Sequence, residues 1–111
     1  MMTTETQLTA FINKQIAYLP IENQILERVV AALEAAGNPV VSVWDTEDDN
    51  PVTSLRDIQE QVFNLDVAYL CTERGGWVML VLGNEWDALS DYTLSLEEPL
   101  KPVMDWIMEN F

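Results

Sequence analysis

Apolar residues recur at intervals of three and four over the first third of the chain, the spacing of one helical face. Leu8, Phe11, Ile12, Ile16 and Leu19 predict a helix from about Glu5 to Leu19. Thr4 and Gln7 fit a capping box at its start, where each side chain satisfies a free backbone donor at the other position. Pro20 stops this helix and suits the first position of the next. Ile21, Ile25, Val29, Ala32, Leu33 and Ala36 predict a second helix from about Ile21 to Ala36. Gly37 supplies its left-handed C-terminal cap, and Asn38-Pro39 ends it. The short link between the two predicts an antiparallel helical hairpin.

The period then changes. Val40 to Trp44 reads as a short strand and residues 45–51 as a polar loop. Ser54 and Asp57 form a capping pair for a third helix, about Leu55 to Asn64, with Leu55, Ile58 and Val62 facing inward. From Val67 to Leu82 two apolar runs flank the turn Thr72-Glu73-Arg74-Gly75-Gly76, the signature of a β-hairpin. Its second run, Trp77 to Leu82, is apolar at six consecutive positions. Such a strand is expected at the centre of a sheet covered on both faces. Residues 83–95 read as loop, with Tyr92 to Leu94 as a small edge strand. Ser95 and Glu98 make a further capping pair. Because Pro99 and Pro102 fit only in a first turn, the last helix is expected from about Pro102, with Leu100, Val103, Ile107 and Phe111 (or Asn110) along one face. The order α-α-β-α-β-β-α predicts an α+β fold: a mostly antiparallel sheet of three to four strands, packed by about four helices. Its strands are expected side by side as 67–72, 77–82 and 40–44, with 77–82 in the middle.

Length and charge narrow the function. A chain of 111 residues is expected to form one domain with a core of its own. Nineteen acidic residues against five basic ones give a net charge of −14. Such a surface repels nucleic acid and anionic lipid and attracts cationic partners. The chain has no histidine, the commonest general base and metal ligand. Its one cysteine, Cys71, permits no internal disulfide and is expected as a small, inert core residue. Residues 1–7 lack the basic and apolar regions of a secretory signal, and no apolar run is long enough to span a bilayer. A cytoplasmic protein is therefore expected.

Candidate chemistry is sparse. Asp45-x-Glu47-x-Asp49 has the alternating oxygens that open an EF-hand loop, but Asn50 stands where the sharp turn needs glycine and Arg56 where the bidentate glutamate belongs. A solvated acidic loop beside a helix N-terminus is the simpler reading. Gly75-Gly76 is a hairpin turn without the lysine of a phosphate-binding loop. With this many acids, paired carboxylates occur by chance. No enzymatic activity, cofactor or metal is expected.

The charge is concentrated. Residues 45–66 carry Asp45, Glu47, Asp48, Asp49, Asp57, Glu60 and Asp66 against Arg56, a net −6. Residues 85–111 carry Glu85, Asp87, Asp91, Glu97, Glu98, Asp105 and Glu109 against Lys101, again −6. The hairpin between them is neutral. Trp44 and Trp77 fall on strands and are expected in the core. Trp86 and Trp106 lie among acids, as aromatics do on a surface that binds a basic partner; the equal alternative is that a sheet covered on both faces leaves neither exposed. The candidate partner-binding residues are Asp45, Glu47, Asp48 and Asp49 from the first segment. The second contributes Glu85, Trp86, Asp87, Asp91, Tyr92, Asp105, Trp106 and Glu109.

These features predict a non-enzymatic acidic protein that engages a basic surface on another protein. A sharper form is a DNA mimic, whose carboxylates stand in for phosphates and occupy a nucleic-acid-binding groove. In size and charge alone the chain resembles small acidic inhibitors of phages and mobile elements, anti-restriction and anti-CRISPR proteins among them. No motif ties it to a named family. The alternative is a small structural or housekeeping domain or chaperone-like adaptor, homodimeric in one version, whose acidity serves solubility.

Overall fold

Pro20 turns the chain from its first helix, α1 (Thr4–Tyr18), into its second, α2 (Pro20–Ala35), where it takes the first helical position. The structure, a computed structural model, describes residues 4–111, with side chains from Gln7 onward. The Thr4–Gln7 capping box therefore lies outside the described residues. At the end of α2, Gly37 adopts φ +73°. The Asn38 N–H then reaches back to the Leu33 carbonyl at 3.0 Å, closing the helix as the glycine predicts. The Asn38 side chain accepts from the Arg74 N–H at 2.8 Å, which ties this corner to the distant hairpin turn.

Five antiparallel strands follow in the spatial order β2-β1-β3-β4-β5. They are β1 (Val40–Trp44), β2 (Asp49–Pro51), β3 (Val67–Thr72), β4 (Trp77–Val81) and β5 (Leu89–Tyr92). Helix α3 (Leu55–Val62) carries the chain from β2 to β3, and α4 (Glu97–Asn110) ends it. The α+β class and the predicted succession of helices and strands stand; the sheet is larger than expected. Residues 45–51 are not all loop: β2 pairs back on β1. Residues 83–95 hold β5 between two short 3-10 turns, Glu85–Asp87 and Leu94–Leu96, so the edge strand begins at Leu89 rather than Tyr92.

The predicted strand order is also corrected. The central strand is β3, and β1 pairs with it (Val43 opposite Leu70) rather than with β4. Helix α4 begins at Glu97, with Pro102 inside it. The bond that Pro102 cannot donate belongs to the first turn, where the exposed Glu98 carbonyl is open to water. Leu96, not Ser95, is the cap residue, and no side chain caps this helix. Ser54 does cap α3, its hydroxyl accepting from the Asp57 N–H at 3.1 Å.

One core holds the fold. Ile12 from α1, Ile25, Leu26, Val29 and Leu33 from α2, Ile58 and Val62 from α3, and Leu100 and Val103 from α4 all belong to it. The sheet contributes Val43, Ala68, Leu70, Val78 and Leu80, which lie on a single face. All four helices thus pack on one side. The expectation of a sheet covered on both faces fails: along β3 and β4 fully buried residues alternate with half-buried ones. The fold is a two-layer sandwich with one sheet face open.

Candidate functional site

The register of the sheet builds the open face row by row. In antiparallel pairs, residues directly opposite each other project on the same side. One row crosses all five strands: Asp49, Trp44, Tyr69, Met79 and Asp91. A second runs Pro51, Ser42, Cys71 and Trp77, and a third pairs Val67 with Val81. The centre of the face is apolar and aromatic. Trp44 and Tyr69 have ring centroids 4.9 Å apart, and Tyr69 meets Trp77 edge-on at 5.4 Å. A carboxylate closes the long row at each end. Four strand spacings of about 4.8 Å put Asp49 and Asp91 about 19 Å apart.

This arrangement reverses the expectation for Trp44 and Trp77. Trp44 is 39% exposed, and neither it nor Trp77 belongs to the core. Trp86 and Trp106 instead pack against the core from the helical side, with their ring centroids 5.4 Å apart. The Arg28 guanidinium lies over the Trp106 ring at 4.0 Å. Tyr92 sits opposite Val78 and so turns to the core side, away from its neighbour Asp91. It joins Trp86, Leu89, Met104, Ile107 and Met108 around a shallow cavity of about 240 Å³. Cys71 is likewise outside the core, half-buried on the open face. Burial pushes its thiol pKa up, the Ser42 hydroxyl offsets part of this, and the charge of Asp49 adds a smaller upward push, so it is a poor nucleophile.

The candidate acids therefore divide. Asp49 and Asp91, one from each acidic segment, share the open face. Asp45, Glu47 and Asp48 form the β1–β2 turn at its edge. Glu85, Asp87, Asp105 and Glu109 belong to the 3-10 turn and α4, beside the Trp86–Trp106 pair.

The turn is internally organised. One Asp45 carboxylate oxygen accepts from the N–H groups of Asp48 (2.7 Å) and Glu47 (2.9 Å), while Thr46 takes φ +82°. The bonds from Asp48 and Glu47 hold the Asp45 pKa below the usual 3.8. Asp57 is held below the same value by the hydroxyl and then the backbone N–H of Thr53. Among the described residues, no group of three or more acidic or cysteine side chains is placed to hold a metal ion.

Both lowered pKa values set a direction for acid unfolding. Each group binds its proton less readily in the folded chain, so its contribution is complete at neutral pH and fades as pH falls below about 3.8. Asp57→Ala is expected to melt below wild type at pH 7, and the gap is expected to close as pH drops through 3.8. Melting curves across that range check it; a gap of constant size would contradict it.

Two features escaped the sequence reading. The outward apolar row is present in the alternating residues of β3 and β4, where its low polarity mimics a second buried face. Glu22, only 2% exposed, was hidden among other helical glutamates. One of its carboxyl oxygens accepts from the N–H groups of Gly83 (3.1 Å) and Glu85 (3.3 Å), fixing the turn that places Trp86.

Comparison with known protein families, with curated proteins and with solved structures gives no match to this chain. No helix among the described residues is long and apolar enough to cross a membrane.

Proposed function

We propose that this protein is a non-enzymatic binding module of the cytoplasm that engages a basic surface on a partner protein. The observation that carries the reading is the lack of internal neutralisation. Among the described residues the only ion pair joins Arg56 to Glu60 at 3.5 Å, in a chain of net charge −14. Charge that a fold leaves this unbalanced raises the encounter rate with cations and weakens the compact state by self-repulsion. Asp49, Asp91 and the acidic β1–β2 turn set part of it beside the apolar open face, the composition of a protein-binding patch. That mixture favours a protein surface with apolar content as the partner. A strict phosphate replica, the DNA-mimic version, needs carboxylates where this face presents rings.

The test is salt dependence combined with segment neutralisation. One variant replaces Asp45, Glu47, Asp48 and Asp49 by their amides; another replaces Glu85, Asp87 and Asp91. Wild-type protein immobilised in cell lysate is expected to retain basic proteins at about 0.01 M salt and release them near 1 M, as the screening length shrinks from about 30 to about 3 Å. Both variants, each losing one aspartate of the open face (Asp49 or Asp91), are expected to retain less. If retained proteins are not enriched in basic ones, or if salt has no effect, the solubility reading replaces this one.

A further inference from the structure

Resting on that binding role, we infer that the open sheet face is the docking surface and that its occupant is an arginine-bearing segment of the partner. Guanidinium planes stack on the rings of Trp44, Tyr69 and Trp77, and their N–H groups pair with Asp49 and Asp91. Three observations select this chemistry. The rows forming the face contain apolar, aromatic and acidic residues and no lysine or arginine. The rings are held side by side by the backbone register, so little ordering is needed before a cation lands on them. Asp49 stands directly beside Trp44, within reach of the edge of a guanidinium stacked there, and Asp91 closes the other end of the row beyond Met79, where it can hold a second cationic side chain of the same segment.

Arginine suits this surface better than lysine. Its guanidinium is planar and weakly hydrated, stacks on aromatic faces and keeps its in-plane donors free for a carboxylate. An ammonium group keeps its water and has no plane to stack. The molecule already contains the contact, in Arg28 over Trp106 at 4.0 Å. A second copy of the chain is the poorer occupant. Apposing two such faces brings Asp49 and Asp91 of each against a surface without a cation, between molecules of charge −14.

The experiment uses the full chain and two synthetic peptides of equal length and charge, one an arginine–glycine repeat and one a lysine–glycine repeat. Binding is followed by NMR of the four indole N–H groups at low salt. The arginine peptide is expected to bind roughly tenfold tighter than the lysine peptide and to move the Trp44 and Trp77 resonances. Trp44→Ala is expected to remove most of that preference and Trp44→Phe to restore part of it. The pair Asp49→Asn and Asp91→Asn is expected to weaken both peptides, and circular dichroism checks that each variant folds. Equal affinity for the two peptides, lost only with the aspartates, overturns the stacking and leaves the acidic binding role intact. Shifts confined to Trp86 and Trp106 overturn the location. Self-association that Trp44→Ala abolishes gives the face to a second copy and overturns the inference. Failure of any cationic peptide to bind overturns it together with the binding role.

Discussion

Leu70→Ala is expected to destabilise the protein by about 2 to 5 kcal/mol, the range for deleting a buried leucine and leaving a cavity. Leu70 is fully buried at the middle of the central strand, with Val43 opposite it on one side and Val78 on the other. Elements from all four helices close over that face, so the hole has little freedom to collapse. Met79→Ala provides the contrast. Met79 lies one strand away on the open face, half-buried and outside the core. Its truncation is expected to cost about 1 kcal/mol, because only part of the side chain leaves contact with its neighbours. Urea unfolding of the two variants checks both values. Equal losses would mean that a second layer covers the open face.

Glu22→Ala is the second large effect, about 2 to 4 kcal/mol. The side chain is buried in the first turn of α2, and its carboxyl oxygen is the acceptor for two N–H groups of the β4–β5 connection. Removing it takes the shared acceptor from two part-buried backbone donors and empties the buried site of the Glu22 side chain, at about 1 to 3 kcal/mol for each donor that water does not reach. The connection is poorly able to adjust, because Gly83 and Glu85 both sit at positive φ, +91° and +52°. Glu22→Gln keeps an acceptor oxygen and is expected to lose only about 1 kcal/mol, since an amide oxygen accepts more weakly than a carboxylate. The same variants report on Trp86, which follows the anchored turn and packs against Trp106. Its fluorescence is expected to shift in Glu22→Ala before global unfolding. A Glu22→Ala protein as stable as wild type would show that the turn holds itself.

The sequence was most legible where one local rule decided the outcome. Gly37 ended α2, Ser54 capped α3 and Gly75-Gly76 turned the hairpin, because each needs only the backbone conformation or side chain of its own residues. It was least legible where a choice depended on distant partners. Nothing within Val40 to Trp44 states whether β1 joins β3 or β4. Leu8 and Phe11 have the spacing of a buried stripe, yet both remain exposed because α1 meets the core through Ile12. Phe111, placed on the inner face of α4 by its period, projects 76% exposed at the chain end.

The site was obscured for a related reason. Apolar residues on both sides of β4 signal low polarity on two faces, and a second helical layer and an open apolar face produce the same pattern. The acids were easy to count, but their division between the two faces depended on β5, which brings Asp91 round to the side of Asp49.

An open apolar face on a sheet invites fibril growth, in which edges join and faces stack. Here the edge strands are only three and four residues long, and β2 ends in Pro51. Growth along either edge meets Asp49 or Asp91, and stacking of faces gathers four such carboxylates. The two aspartates thus set like charge against both routes, edge growth and face stacking, by which an uncharged open sheet polymerises.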